Sequence, residues 1–206
     1  MKPNLHRRNV VKKILSNRND LLLVAGLGST SWDITAAGDS PLSFPIWGAM
    51  GQAAMIGLGL ALARPERRVL VVTGDGEMLM GLGSLATIGV QRPANLTLVV
   101  IDNERYGETG MQATHTASGV DLAAVAKACG FRDSRKISHG NEIKSLHSLI
   151  HKQKGPNFAQ VKVVAEKLPL VLPPHDGQLL KARFRRALLG PGAESPNSAD
   201  VLPEKL

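Results

Sequence analysis

Two short segments hold the residues best suited to chemistry. The first is the GDG motif of residues 74–76, directly after the apolar run 69–73, and the second is the DN pair of residues 102–103, directly after the apolar run 96–101. Glycines permit tight turns and a close approach of phosphate to main-chain N–H groups. Carboxylate and amide oxygens are ligands that magnesium accepts. The two segments therefore predict a site for a phosphate group and a cation, provided that the fold brings them together.

The surrounding pattern predicts a sheet that can do this. Short continuous apolar runs are typical of buried strands, and apolar residues every three or four positions are typical of helices. The predicted strands are residues 21–25, 69–73, 96–101, 135–137 and 158–164. The predicted helices are residues 5–16, 51–63, 79–90, 122–129, 142–151 and 178–189. This alternation predicts an α/β fold of three layers, a parallel sheet with helices on both faces, in which ligands bind at the carboxyl ends of the strands.

The alternation ends near residue 165. We expect one α/β domain over residues 1–165 and a basic helical extension over residues 166–189. Residues 190–206 are rich in Pro, Ser and Gly, which is typical of a disordered tail.

The composition narrows the classes of function. The chain has 206 residues, of which 43% are hydrophobic and 3% aromatic, so we expect one core built from aliphatic side chains. Its net charge of +8 arises largely from basic residues near the two ends, without a recognised nucleic-acid motif, so we expect no nucleic-acid partner. A single cysteine, Cys129, excludes an internal disulfide and an iron–sulfur cluster bound by this chain alone. We expect a cytoplasmic protein without membrane contact, because no apolar run reaches the ~18 residues of a membrane span and no signal-cleavage pattern is present.

The two motifs together resemble the cofactor-binding motif of thiamine diphosphate enzymes. In the stretch GDGEMLMGLGSLATIGVQRPANLTLVVIDNERYG, Asn103 lies 28 positions after Asp75 (103 − 75), at the end of the next predicted strand. The resemblance implies that Mg²⁺ is bound by Asp75, Asn103 and the main-chain carbonyl of Arg105, and that the cation holds the diphosphate of thiamine diphosphate. The other residues that it assigns to the cofactor site are Gly74, Gly76, Tyr106 and Gly107.

A third segment, GAMGQA at residues 48–53, resembles the turn that receives the aminopyrimidine ring in these enzymes. There, a glycine carbonyl accepts a hydrogen bond from the 4′-amino group, and a large apolar side chain holds the cofactor in a bent shape. Gly48 and Met50 match these positions, so the resemblance implies roles for both in cofactor binding and activation. Ordinary core packing would explain Met50 by itself; the GDG motif and Asn103 downstream favour the cofactor role.

Two residues depart from the usual motif. Glu77 follows the GDG motif where a small residue is frequent, and a carboxylate would repel phosphate, so we expect Glu77 to point away or to cap the next helix. Asp102 replaces the first Asn of a frequent Asn-Asn pair; only the second is a metal ligand, so this replacement is compatible with the site.

The extent of the resemblance implies a partner. Thiamine enzymes also need a glutamate that hydrogen-bonds the pyrimidine N1′ atom, and the family places it in a separate pyrimidine-binding domain. The resemblance covers only the diphosphate-binding domain, about residues 1–165. It therefore implies a hetero-oligomer in which an alpha subunit with the pyrimidine domain supplies the glutamate, and in which this chain is inactive alone.

The segments GLGSTSWD and ERYGETGMQATHT, in a small separate subunit, are most similar to those of the β subunits of sulfopyruvate decarboxylases, and phosphonopyruvate decarboxylases are similar. This implies a lyase that decarboxylates a small anionic 2-oxo acid. The candidates for its substrate side are Ser29, Thr30, Ser31, Thr109, Gly110, Gln112 and Thr114. The three hydroxyl residues at 29–31 could instead form a simple turn. His115 could donate a proton, although a loop histidine with a local hydrogen bond is the simpler interpretation.

Three alternatives remain open. One is the β subunit of a 2-oxoacid:ferredoxin oxidoreductase, against which the single cysteine argues. A second is an acetolactate synthase-like fragment, although no flavin-associated middle domain is visible in the sequence. The third is a noncatalytic scaffold or regulatory subunit that keeps the fold. Against it stand Asp75 and Asn103, because a purely structural descendant needs neither oxygen ligand.

Overall fold

The computed structural model describes residues 4–191 and 193. Its main sheet is formed by β1 (Leu22–Ala25), β2 (Ser43–Pro45), β3 (Val69–Gly74), β4 (Leu96–Asp102), β7 (Asp133–Ile137) and β8 (Asn157–Lys162). All neighbouring pairs are parallel, in the order β2-β1-β3-β4-β8-β7. A separate antiparallel hairpin consists of β5 (Arg105–Tyr106) and β6 (Gln112–Ala113). We call residues 105–113 the site hairpin.

Within the described residues, eight α-helices surround the sheet. They are α1 (Arg7–Ile14), α2 (Ser29–Ala36), α3 (Ala53–Ala63), α4 (Asp75–Met80), α5 (Ser84–Gln91), α6 (Leu122–Ala128), α7 (Ile143–His151) and α8 (Gly177–Leu189). Two 3₁₀ turns lie at His115–Ser118 and Gly140–Glu142.

The core has two layers, one on each face of the sheet, because side chains of a strand alternate between the faces. On one face, Leu70 and Val72 of β3 pack with apolar residues of α1, α2 and α7. On the other, Val69 and Val71 pack with apolar residues of α3, α5, α6 and α8. The three-layer α/β fold predicted from the sequence is confirmed.

One predicted element is wrong in its extent. The apolar pattern predicts a single helix over residues 79–90, but the chain leaves helical geometry at Gly81 and resumes it at Ser84. A Cβ on Gly81 would lie 2.1 Å from the carbonyl oxygen of Gly51, so the two backbones touch. The helix is interrupted where it packs against the 48–53 turn, a contact between distant parts of the chain.

The C-terminal extension packs on the edge of the sheet. The predicted helix 178–189 is present as α8, and its Phe184 ring lies 5.5 Å from the ring of Phe44 in β2. Arg183 also forms an ion pair with Asp39 at 2.5 Å. The domain boundary at residue 165 stays a prediction, and the expected disordered tail at 190–206 falls outside the described residues except for 190, 191 and 193.

None of the helices within the described part of the chain has the length and apolar character needed to cross a membrane.

We expect two glycines of α3 to respond oppositely to substitution by alanine. A Cβ on Gly57 would lie 2.2 Å from Cγ2 of Val71, so Gly57→Ala should push α3 away from the sheet and lower the free energy of unfolding by about 1–3 kcal/mol. Gly59, on the exposed side of the same helix, has no atom within 4 Å of the place where a Cβ would lie, so Gly59→Ala should raise that free energy by up to about 1 kcal/mol. Urea denaturation of both variants measures the difference, and equal effects would contradict the packing of α3.

Candidate active site

A pocket opens at the carboxyl ends of β1, β3 and β4, where ligands bind in parallel sheets. Parallel pairing places Gly74 of β3 beside Ile101 of β4, so the segments that follow these strands emerge side by side. The predicted cofactor residues that line the pocket are Met50, Gly74, Asp75, Gly76, Asn103, Arg105, Tyr106 and Gly107. The fold therefore brings together the two motifs that the sequence separates.

Asp75 is buried at the base of this pocket, with 2% of its surface exposed. Its Oδ2 accepts a hydrogen bond from the hydroxyl of Thr114 at 2.5 Å, and Thr116 Oγ1 lies 3.3 Å from the same oxygen. Burial raises the pKa of Asp75 to about 6; the Thr114 hydrogen bond opposes this effect and the nearby charge of Asp102 adds to it. A bound cation would favour the charged carboxylate.

Asn103 and Arg105 form the second side of the pocket. The Asn103 Oδ1 atom accepts a hydrogen bond from the Arg105 N–H at 2.9 Å and keeps a second lone pair. The carbonyls of Glu104 and Tyr106 accept from N–H groups of Thr114 and Met111 on the returning strand. The Arg105 carbonyl lies between these two along the chain, and its role as a cation ligand stays a prediction.

The glycines of the GDG motif have different surroundings. A Cβ on Gly74 would meet no atom within 4 Å, so there is open space beside it that an approaching group can fill. A Cβ on Gly76 would lie 2.4 Å from Cε1 of Tyr106. Gly76 is therefore required by the packing of the Tyr106 ring, and Gly74 borders the space for a ligand.

The 48–53 turn is held in a tight conformation beside this space. Ala49 and Gly51 have positive φ angles of 55° and 88°, and Gly51 rests on Gly81 as described above. Met50 is half-buried and lines the pocket, whereas Gly48 is exposed and is not among the residues that line it, with open space where a Cβ would lie. The placement of Met50 is compatible with a wedge under a bound ring.

Glu77 lines the pocket, but its carboxylate is more than 4 Å from the place of a Gly74 Cβ and contacts Thr73. It is 4% exposed, and its Oε2 accepts a hydrogen bond from the Thr73 hydroxyl at 2.8 Å. The pKa of Glu77 is raised overall, and burial of the carboxylate is the largest cause. The Thr73 hydroxyl and the nearby N–H groups of Ala53, Leu27 and Gly51 oppose this effect. No hydrogen bond of normal geometry from a described residue reaches Oε1.

The carboxylate of Glu77 also explains a glycine upstream. A Cβ on Gly26 would lie only 1.8 Å from Glu77 Oε2, so this side chain occupies the place of a larger residue at the end of β1. Glu77 therefore joins the ends of β1 and β3 to the 48–53 turn.

The three candidate substrate residues that follow β1 fall into two groups. Ser29 lines the pocket at the beginning of α2. The Thr30 hydroxyl donates to the Gly26 carbonyl at 2.8 Å, and Ser31 donates to the same carbonyl at 2.7 Å. Both hydroxyls thus serve the turn, and a substrate role remains a prediction that this geometry supports only for Ser29.

The candidate substrate residues after Asn103 also divide into those that line the pocket and those that do not. Thr109 lines the pocket, and its hydroxyl donates to Gln112 Oε1 at 2.9 Å across the exposed tip of the site hairpin. Thr114 is buried and its hydroxyl is bonded to Asp75, so its suggested substrate role receives no support from its position. His115 is exposed and is not part of the pocket wall, so its suggested role as proton donor receives no support from its position.

Sequence reasoning missed two charged residues of the pocket wall, Arg7 and Glu108. Arg7 is 3% exposed and pairs with the buried Asp33 of α2, while donating to the Ser29 carbonyl at 3.1 Å. The pKa of Glu108 is raised overall by burial, and the positive charge of Arg7 only partly opposes this effect. A signal for Arg7 was present, because it shares the apolar face of α1 with Val10, Val11 and Ile14 at helical spacing. Glu108, at the hairpin tip, had no such signal.

The donor set suits a hard cation that shares its ligands with phosphate. No group of three His, Cys, Asp or Glu side chains among the described residues could hold a metal by itself. One carboxylate, one amide oxygen and one carbonyl oxygen leave positions for phosphate oxygens or water, as Mg²⁺ sites commonly have. The residues therefore fit a magnesium diphosphate.

Comparison with known proteins decides the family. Residues 29–161 match the model of the family described as thiamine pyrophosphate enzyme, C-terminal TPP binding domain. The chain belongs to the thiamine pyrophosphate enzymes. Within them, it is 38% identical over 186 residues to the sulfopyruvate decarboxylase subunit beta of Methanothermobacter thermautotrophicus, covering 90% of this chain and 97% of that protein. It is 49% identical over 144 residues to the phosphonopyruvate decarboxylase of Streptomyces viridochromogenes, covering 70% of this chain and 36% of that protein.

The fold is also that of a thiamine pyrophosphate enzyme domain. The crystal structure of benzoylformate decarboxylase from Polynucleobacter necessarius aligns with a TM-score of 0.68 at 22% identity, over 81% of this chain. The chain spans 34% of that protein's length. It therefore corresponds in fold to one part of a longer thiamine enzyme.

We expect Glu77→Ala to destabilise the chain strongly. It would create a cavity and leave the buried Thr73 hydroxyl without its acceptor, at a cost of about 2–4 kcal/mol in the free energy of unfolding. The matched control is Glu66→Ala, since Glu66 is exposed and pairs with Arg64 at the surface; it should leave that free energy nearly unchanged. Urea denaturation measures both, and a Glu77→Ala variant as stable as the control would show that the buried carboxylate has no structural role.

Proposed function

We propose that this chain is the diphosphate-binding subunit of a thiamine diphosphate- and Mg²⁺-dependent 2-oxo acid decarboxylase of the sulfopyruvate decarboxylase type. The observation that supports it most is that Asp75, Asn103 and Arg105 line one pocket beside the open space at Gly74. Similarity to sulfopyruvate decarboxylase subunit beta over nearly the whole of that relative narrows the reaction class.

In this proposal each group of the site has a defined task. Asp75, Asn103 and the Arg105 carbonyl bind Mg²⁺, and Gly74 allows the diphosphate to approach the main chain. The Gly48 carbonyl accepts a hydrogen bond from the aminopyrimidine, and Met50 supports the bent cofactor. When bound, thiamine diphosphate supplies a nucleophilic carbon and an electron sink for decarboxylation.

The substrate side is lined by groups of both charges. Ser29, Thr109 and Arg7 belong to the pocket wall, and Arg7 brings a positive charge that it shares with its partner Asp33. These groups suit a small anionic 2-oxo acid. Glu108 lines the same pocket, and its carboxylate would repel an anionic group of the substrate. We therefore expect the second anion of the substrate to lie nearer to Arg7 than to Glu108.

A partner subunit is part of the proposal. The carboxylates of this chain that line the pocket are Asp75, Glu77 and Glu108. In the proposal Asp75 binds Mg²⁺, Glu77 is buried with its Oε2 bonded to the Thr73 hydroxyl, and Glu108 lies on the exposed site hairpin, so none of these three is assigned the role of the family's activating glutamate. Large apolar side chains are exposed near the 48–53 turn, among them Trp47 at 42% and Met80 at 65%. An alpha subunit with a pyrimidine domain would cover them and supply the glutamate.

Two substitutions test the metal site. Asp75→Ala and Asn103→Ala should each weaken Mg²⁺-dependent binding of thiamine diphosphate by at least about tenfold, which is about 1.4 kcal/mol, because each removes an oxygen ligand. Asp133→Ala, in the edge strand β7, is the control and should bind as the wild type does. Isothermal titration calorimetry of the chain with its partner, with and without EDTA, measures the affinity. Wild-type affinity in both site variants would refute the assigned ligands.

Activity tests the reaction and the partner together. A second chain that co-purifies with this one should be required for CO₂ release, with sulfopyruvate or phosphonopyruvate turned over faster than pyruvate at equal concentration. The isolated chain should release no CO₂ above background, because it lacks the activating glutamate. Cofactor binding by the complex without CO₂ release from any of the three would favour the noncatalytic alternative. Release by the isolated chain would refute the need for a partner.

A further inference from the structure

We propose that Thr114 and Thr116 are positioning residues that fix which oxygen of Asp75 faces the cation and that tie this carboxylate to the site hairpin. The inference deepens the proposed function and rests on it, since it concerns how the same cation site is built. Neither threonine belongs to the ligand set that the family resemblance implies.

The first step concerns the two oxygens of Asp75. Both threonine hydroxyls contact Oδ2, at 2.5 Å from Thr114 and 3.3 Å from Thr116. No hydrogen bond from another described residue engages Oδ1. The Thr114 hydroxyl, with Thr116 packed beside it, therefore holds Oδ2 on the protein side and leaves Oδ1 for a cation.

The second step follows from counting hydrogens. Each hydroxyl has one hydrogen to donate. Thr114 donates to Asp75, and Thr116 donates to Oδ1 of Asp102, which at 2.8 Å is closer than Asp75. The two hydroxyls lie 2.9 Å apart. The pair thus gives one donor to each of two buried carboxylates that would otherwise repel each other without compensation.

The third step concerns the anchor at Asp102. This residue is fully buried, and its Oδ2 accepts hydrogen bonds from Gln160 at 2.6 Å and Lys162 at 3.0 Å, both in β8. Burial lowers the pKa of Lys162, but its bonds to Glu104 and Asp102 raise it overall, so its charge is retained. Thr116 is therefore attached to a rigid part of the sheet.

The fourth step connects this anchor to the site hairpin. The Thr114 N–H donates to the Glu104 carbonyl at 3.1 Å, and the Glu104 N–H donates to Asp102 Oδ1 at 3.0 Å. The two ends of the hairpin are thus bonded to Asp75 and Asp102. Because the proposed Arg105 ligand lies in this hairpin, cation binding at Asp75 and the position of the hairpin are coupled.

The local sequence accounts for the inward direction of both hydroxyls. Thr114 and Thr116 are 2% and 5% exposed, whereas His115 between them is exposed. The alternation places the two threonines on the carboxylate side and the histidine on the solvent side.

The experiment compares variants that remove or keep the hydroxyl. Thr114→Val and Thr116→Val remove the donor with little change of shape, and Thr114→Ser and Thr116→Ser keep it. Thr97→Val is the matched control, since Thr97 is 3% exposed at the opposite end of β4. Each full-length variant is assembled with the partner subunit. Mg²⁺ is then titrated at constant thiamine diphosphate by calorimetry, and the complexes are digested with trypsin, which cleaves after Arg105.

We expect both valine variants to need at least about tenfold more Mg²⁺ for half-saturation, while reaching the wild-type cofactor stoichiometry at high Mg²⁺. In the wild type, Mg²⁺ with thiamine diphosphate should protect the bond after Arg105 from trypsin; in the valine variants this protection should be lost even at saturation. The serine variants and Thr97→Val should behave as the wild type in both measurements.

Three results would overturn the inference: valine variants that titrate as the wild type, serine variants as defective as valine variants, or no protection of Arg105 in the loaded wild type. If Thr114→Val does not fold, the Thr116 pair provides the same comparison. A wild-type complex that binds no thiamine diphosphate with Mg²⁺ would refute the proposed function itself, which is a separate outcome.

Discussion

Two buried carboxylates at the ends of neighbouring strands set the main constraint on this protein. The register of β3 and β4 makes Gly74 and Ile101 partners, so Asp75 and Asp102 follow at the same edge of the sheet. Two like charges in a buried place are unfavourable unless each has donors or a cation. Asp102 is satisfied by groups within the chain, namely Lys162, Gln160 and Thr116. Asp75 has one hydroxyl donor, from Thr114 to Oδ2, which leaves its other oxygen for the proposed cation.

Backbone contacts between glycines give the site its shape. Gly81 touches Gly51, Gly76 accommodates Tyr106, and Gly26 accommodates Glu77. In each case a Cβ would fall within 2.4 Å of an existing atom, so the chain has no room for another residue without movement. Gly74 is the exception within the motif, because the space beside it is empty of protein. Glycines in one short region thus serve two purposes, close packing of the protein and access for a ligand.

The sequence was sufficient for the parts of the fold that depend on local pattern. The central strands are continuous apolar runs, and their order along the chain placed the GDG motif and Asn103 at one edge. The sequence was insufficient for the features that depend on contacts between residues far apart in the chain. The interruption at Gly81 depends on Gly51, and the role of Thr114 depends on Asp75, 39 positions earlier (114 − 75). The helix α2 and the strand β2 were missed because their segments are short and rich in polar or small residues. Arg7 was overlooked although its place on an apolar helix face indicated burial.

The position of Glu77 removes the objection that its charge raises against a phosphate site. A carboxylate beside a diphosphate would repel it, but this one is turned to Thr73 and to the main chain of the 48–53 turn. The same residue therefore links the strand that ends in the GDG motif with the segment proposed to receive the pyrimidine ring. Gly81, directly after α4, also packs on Gly51 of that turn. The two segments proposed to hold the diphosphate and the pyrimidine ring are therefore joined through one short helix and the glycine that follows it.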